Sequence, residues 1–317
     1  MESDGGTHQD PAVMVTAEEV LARVSPRAAM QAIEGAFLAL GRGDVEDPVT
    51  VGMPLSDGTF HVKACAGKPA YANVMAVKLN ANFPANRERH GLPTIQGVVA
   101  VFDAGNGKLL ALVDSPSITS LRTAATTALA VHHLAPAGAR IATVVGCGAL
   151  GRAHVQALVE CNDIREIRVC DRDARSAEAL ADWARDRLKI ACTVASNVAI
   201  ATRSSPVVVT CTSSTVAYLG AGDVSPGTFV AAVGADNEHK SEIEASLFAR
   251  ARIVTDKTAQ CLKIGDLRNA APGANVCGEM TDVVAGRVER TGAGEIVLFD
   301  SRGVAVEDLA VCRLLLP

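Results

Sequence analysis

Aromatic residues are almost missing from this chain, at 3% of 317 residues with a single Trp and two Tyr. A core of stacked rings is thereby excluded. The 49% of hydrophobic residues must pack instead as Ala, Val, Leu and Ile, a composition suited to α/β proteins whose parallel strands are buried on both faces. Basic blocks are missing too. Thirty Lys and Arg stand against 35 Asp and Glu, for a net charge of −5. Without a positive stripe, neither nucleic acid nor an anionic membrane is expected as a partner. No uninterrupted apolar run approaches the roughly 20 residues of a membrane span. The nine cysteines form no C-x-x-C pair, which points to reduced thiols in the cytoplasm and to neither a disulfide framework nor a metal site. The opening MESDGGTHQDP is polar and acidic. It reads as a disordered tail over residues 1–15, not as a signal peptide.

Two kinds of pattern are present. In the first part, Thr16 and Glu19 form a T-x-x-E capping box, and Ser25-Pro26 opens a second helix with Met30, Ile33, Phe37 and Leu40 on one face and Gly41 as its stop. Alternating runs meet at Asp57-Gly58 and again at Asn106-Gly107, both hairpin signals, with NVMAVKLNAN (73–82) as a further strand. Ser120 then reads as the N-cap of an alanine-rich helix over Leu121–Leu134. That start puts Arg122 in the first turn, where the helix dipole disfavours a cation. From Arg140 onward, short apolar runs (RIATVVG, REIRVCD, SPVVVTCT, GTFVAAVG, ARIVTD, GEIVLFD) alternate with helical segments, the pattern of parallel strands with crossover helices. The final VEDLAVCRLLLP reads as a short helix. The expected fold is therefore α/β: a doubly wound, Rossmann-type parallel sheet plus an α+β unit.

VVGCGALGRAHV holds Gly146, Gly148 and Gly151 in a G-x-G-x-x-G that closes a strand and opens a helix. Such glycines allow a tight turn, close approach of a pyrophosphate and close helix–strand packing, and the helix N-terminus supplies N–H groups to the phosphates. The next strand ends at Asp171, 20 residues past Gly151, where an acid binds the ribose 2′-hydroxyl. Asp171 favours NAD over NADP, while the adjacent Arg172 leaves NADP open.

Three polar residues stand out. Lys78 shares one strand face with Val74, Ala76 and Asn80. It is either a solvated charge or a desolvated ammonium used in binding or proton transfer. Arg122 is either a surface arginine paired with Asp114 or a receptor for an anion. Asp236 follows the strand GTFVAAVG, where an open parallel sheet binds ligands, or is a loop acid. Together they make a plausible amino-acid site, two cations for a carboxylate and one acid for an amine.

The segments KLNANFPANRERHGLPTIQGVVAVFDAGNGKLLALVDSPSITSLRTAATTALA, VVGCGALGRAH, GADNEHKSEI and EIVLFDSRGVAVEDLA resemble the ornithine cyclodeaminase/μ-crystallin family from about residue 16 to the C-terminus. The resemblance implies a substrate and dimerisation domain (16–124), an NAD(P)-binding Rossmann domain (125–300), a C-terminal segment (301–317) returning to the first domain, and a homodimer. It also implies chemistry at the Cα–N bond of amino acids or their imines. By position, Lys78 and Arg122 match the family's substrate-carboxylate pair and Asp236 its acid/base. Thr94, Ala149, Leu150, Asp171, Thr212, Lys240 and Ser301 match cofactor-contacting positions. Thr50 stands near the place of an arginine found in many members. Where cyclodeaminases carry a glutamate and alanine dehydrogenases an arginine, the nearest residues here are His61 and Lys63. These two join the candidate substrate contacts and make the pocket more basic than a cyclodeaminase's.

Three functions follow from this reading. The leading one is an NAD(P)H-dependent imine reductase or amino-acid dehydrogenase in which Lys78, Arg122 and Asp236 act on the substrate. The second is a cyclodeaminase that uses NAD catalytically and releases ammonia. The third is a non-catalytic, cofactor-bound ligand binder.

Overall fold

A computed structural model describes residues 11–316. The first part runs β1 (Val13–Val15), α1 (Ala17–Arg23), α2 (Pro26–Arg42), β2 (Val49–Pro54), β3 (Thr59–Ala66), β4 (Val74–Asn82), α3 (Asn86–His90), β5 (Ile95–Asp103), β6 (Leu109–Asp114) and α4 (Ser115–Leu134). The second runs β7 (Ile141–Val145), α5 (Ala149–Cys161), β8 (Glu166–Cys170), α6 (Ala174–Trp183), β9 (Ala191–Val194), α7 (Val198–Thr202), β10 (Val207–Thr210), β11 (Phe229–Ala232), α8 (Ala245–Phe248), β12 (Arg252–Thr255), α9 (Thr258–Ile264), β13 (Val276–Glu279), α10 (Met280–Val284), β14 (Val297–Asp300) and α11 (Ala305–Arg313).

These strands build two sheets. The six-stranded sheet has the order β1-β6-β5-β4-β3-β2 and is antiparallel except for β1 against β6. The eight-stranded sheet, β13-β12-β14-β11-β10-β7-β8-β9, is parallel throughout. Its central strands β10 and β11 are buried along their whole length, as expected of Val/Ala-rich strands covered by helices on both faces. Helices α4 and α11 pack on the six-stranded sheet, with α2 against both of them. One apolar core runs from this layer into the parallel sheet.

Several local expectations are corrected. Helix α4 starts at Ser115, not Leu121, because Asp114 is the N-cap, its Oδ1 accepting from Ser117 N at 2.8 Å, and Pro116 sits in the first turn. An acid followed by Ser-Pro outcompetes Ser120 as a start signal. Arg122 is therefore the eighth helical residue, past the reach of the dipole. Helix α2 runs through Gly41 and ends at Gly43, whose φ of +78° supplies the left-handed cap. Of the expected tail, residues 1–10 lie outside the described residues, and Val13–Val15 is a strand paired with β6. The expected boundary at 124/125 falls inside α4. Strands β9 (ACTV) and β13 (VCGE) are not among those expected: they sit at the two edges of the sheet, are only partly buried, and carry no continuous apolar run to mark them.

Among the described residues no helix is long and apolar enough to cross a membrane. None of their groups of His, Cys, Asp or Glu is placed to hold a metal ion.

Candidate active site

The glycine loop follows β7. Gly146 has φ +105°, and a Cβ there would meet the Cys211 carbonyl oxygen at 2.8 Å. A Cβ on Gly151 would strike the Gly146 carbonyl oxygen. Gly148, by contrast, faces open space and is the N-cap of α5 without any side-chain cap. The first and third glycines thus fold the turn tightly. The second leaves room over the uncapped N–H groups of Ala149 and Leu150 at the head of a 13-residue helix, a ready anion cradle. Asp171, just past β8, reaches this loop: its Oδ2 accepts from Cys147 N at 2.7 Å. Arg172 beside it is exposed. The residues present fit a dinucleotide.

Two further cofactor candidates, Thr212 and Ser301, sit at the C-terminal ends of parallel strands, and a third, Lys240, lies in the loop after β11. Thr212 follows β10, and both its N and Oγ1 donate to Glu242 Oε1 at 2.7 Å. Ser301 follows β14 and donates from Oγ to Asp256 Oδ2 at 2.8 Å. Lys240 lies 2.8 Å from Asp236 Oδ1, so the structure joins a cofactor candidate to the proposed acid. Thr94 lies in the loop before β5, where its carbonyl accepts from Phe83 N. No hydrogen bond joins it to the glycine loop among the described residues.

The cationic candidates converge where the six-stranded sheet meets α4 and α11. Lys63 on β3 and Lys78 on β4 are direct cross-strand partners, and His61 is two residues along on the same face. Lys78 is 3% exposed and Arg122 5%, which removes the solvated-charge alternative for both. Nor does Arg122 pair with Asp114. Its Nη1 donates to Glu307 Oε2 at 2.8 Å, and its Nε lies 3.3 Å from Asp308 Oδ1. Lys78 Nζ donates to the same Asp308 oxygen at 2.8 Å and to Thr119 Oγ1 at 3.3 Å. Arg122 Nε and Asp308 Oδ2 are nonetheless buried without hydrogen-bond partners. Gly303, with φ +71°, packs on the Arg122 guanidinium so closely that a Cβ would collide with it.

Electrostatics follow from this crowding. Burial pushes the Asp308 carboxyl up, but Lys78, Arg122 and Lys63 outweigh it and hold it below the usual carboxylate range. Burial raises Glu307 above its ordinary value against the pull of Arg122. Lys78 is lowered by burial more than Asp308 restores it. Lys63 is pushed down to about 7 by burial and by the neighbouring charges of Lys78 and Arg122. For His61, burial lowers the pKa, Asp236 opposes, and Lys63 and Lys78 add to the lowering.

Glu307 and Asp308 escape a reading by sequence, as do Asp256 and Glu242. A signal did exist. Helix α11 is buried from Ala305 to Cys312, and an acid pair in a segment with no polar face must find cations inside.

The ornithine cyclodeaminase/mu-crystallin family matches residues 11–316. The chain belongs to this family. It is 30% identical over 308 residues to the iminosuccinate reductase of Paracoccus denitrificans, covering 95% of this chain and 94% of that one. It is 29% identical over 273 residues to the ketimine reductase mu-crystallin of Rattus norvegicus, covering 86% and 85%. Among solved structures, an archaeal alanine dehydrogenase dimer with bound NAD superposes with a TM-score of 0.89 at 28% identity, covering 96% and 94%.

Proposed function

We propose that this family member is an NAD(H)-dependent oxidoreductase acting on the Cα–N bond of an imino or amino acid. The observation that carries this reading is the meeting of the buried cations Lys78 and Arg122 with the segment that leaves β14 of the parallel sheet: Gly303 packs on the Arg122 guanidinium, and Glu307 and Asp308 pair with the two cations. Relatives that are ketimine and iminosuccinate reductases support it. Lys78 and Arg122 take the substrate carboxylate and fix Cα in a reactive pose. His61 and Lys63 line the side-chain end. Asp236, held by Lys240, exchanges a proton with the substrate nitrogen. Gly146, Gly148, Ala149, Leu150 and Gly151 cradle the pyrophosphate, Asp171 takes the ribose hydroxyls, and Thr212 and Ser301 face the remainder of the cofactor. When bound, NADH supplies the hydride that reduces the imine carbon.

The diamino-acid reading has no support at the side-chain end. His61 and Lys63 stand there, and both nearby acids, Glu307 and Asp308, are engaged by Arg122 and Lys78.

We further infer a homodimer formed through the outer face of the six-stranded sheet. Val51, Val62, Leu79 and Val98 form one cross-strand row there, and Val49, Val51, Met53 and Leu79 are exposed. An open apolar sheet face of this kind fits a second copy.

The deciding assay follows loss of NADH or NADPH with cyclic ketimine acids, and with 2-oxo acids plus ammonia. Net oxidation establishes the reductase. Ammonia release from ornithine with NAD, and no net oxidation, would make it a cyclodeaminase; binding without turnover would make it a binder. In the reductase, Arg122→Lys keeps a charge but loses the planar fork. It is expected to lower kcat/KM about 30-fold or more, mainly through KM. An unchanged KM would remove Arg122 from the substrate site.

A further inference from the structure

Lys78 and Arg122 each have an acid from α11, whereas Lys63 has none. Among the described residues no carboxylate lies within ion-pair distance of its Nζ, which instead donates to the carbonyl oxygens of Arg302 at 3.0 Å and Gly303 at 2.6 Å. An ammonium has three donors, so one remains. The side chain is half-buried, directly opposite Lys78 and two residues along the same face from His61, near enough to Arg122 to feel its charge. Two like charges opposite each other weaken a sheet, so such a pair calls for an anion.

A count of charge says which anion. Within ion-pair distance of Lys63, Lys78 and Arg122 stand only Glu307 and Asp308, one carboxylate fewer than the cations; Asp256, whose charge also reaches Arg122, is taken up by Ser301 Oγ and by the N–H groups of Arg302 and Gly303. Asp236 is offset by Lys240, and burial drives His61 toward its neutral form. The iminium that accepts hydride is itself positive at nitrogen. With one carboxylate it is neutral overall and leaves the excess in place. A diamino acid adds to the excess. An iminium with two carboxylates is negative by one and cancels it. In a partly desolvated pocket that difference is large.

We propose that Lys63, with His61 beside it, forms a second anion subsite, and that the preferred substrate is an imino acid bearing a second carboxylate on its side chain. This rests on the reductase reading above. A carboxylate placed at Lys63 opposes the lowering caused by burial, Lys78 and Arg122. Binding of a dicarboxylate at pH 8 therefore takes up a proton, whereas a monocarboxylate held by Lys78 and Arg122 takes up less.

The test compares NADH-dependent kcat/KM for 2-oxosuccinate and 2-oxoglutarate with ammonia against pyruvate and 2-oxobutyrate with ammonia. The dicarboxylates are expected to lead by about tenfold or more. Lys63→Met should erase that ratio, while Lys63→Arg should keep it. In parallel, the NAD-loaded protein is titrated with succinate and with propionate at pH 8, in two buffers of different ionisation enthalpy. Succinate should bind more tightly and with proton uptake that Lys63→Met abolishes. Equal rates for both classes, or a ratio and proton uptake unchanged in Lys63→Met, would overturn the subsite and leave the reductase standing. If no imine of either class is reduced, the reductase reading falls, and the succinate titration still decides whether the subsite exists.

Discussion

At Lys63, desolvation and two neighbouring cations outweigh the acids of α11 and bring the ammonium to about 7. The sign of the consequence is fixed. Above that value Lys63 loses the charge that, in the proposed subsite, attracts a substrate anion. The pH profile of kcat/KM reports groups of the free enzyme. We expect it to descend through about pH 7, and Lys63→Arg, which stays protonated, to move that limb to higher pH. A descending limb unmoved in Lys63→Arg would assign it to another group. At the same scale, Lys78 was legible as an anomaly because a lysine interrupts an apolar strand face. Asp308 was not legible as its partner, because 230 residues separate the two.

Between elements, His154 joins α4 to α5. It sits on α5 with Nδ1 2.8 Å from the Leu150 carbonyl oxygen and Nε2 3.0 Å from Thr127 Oγ1 on α4. The ring thus donates to Leu150 and accepts from Thr127 in its neutral form. Burial lowers its pKa to about 4. Between pH 6.5 and 4 the unfolded chain binds more protons at this residue than the folded one. Stability should therefore fall as pH drops through that window, by roughly 3 kcal/mol in all. Thermal melts from pH 7 to 4 should show that slope, and His154→Asn should flatten it; the same slope in the variant would place the dependence on carboxylates. Helix α11 works the other way round. Its short sequence predicts a helix, but only docking against α4 and β4 turns its two acids toward Arg122 and Lys78.

For the whole molecule, the six-stranded sheet carries cations on its inner face and the row Val51, Val62, Leu79 and Val98 on its outer one. Period-two alternation sends the two sets to opposite faces. Glutamates at positions 51 and 79 (Val51→Glu with Leu79→Glu) would place two charges in the proposed dimer interface. Sedimentation equilibrium should then give twice the 32.7 kDa chain mass for the native protein and the single-chain mass for the variant. A native monomer would remove the dimer from the account.

The sequence by itself determined the two sheet types, the glycine loop and both hairpins, and singled out Asp171, Lys78, Arg122 and Asp236 as candidates. Each of these rests on local periodicity, turn chemistry or a motif within a few tens of residues. Only the tertiary structure decided what those residues touch. It moved the start of α4 back from Leu121 to Ser115, cancelled the dipole argument for Arg122, and matched its charge with Glu307 and Asp308. Lys63 likewise came to rest on the loop at Arg302 and Gly303. The physical reason is that a buried charge must find its partner in space, and here the partner lies almost two hundred residues away along the chain or further.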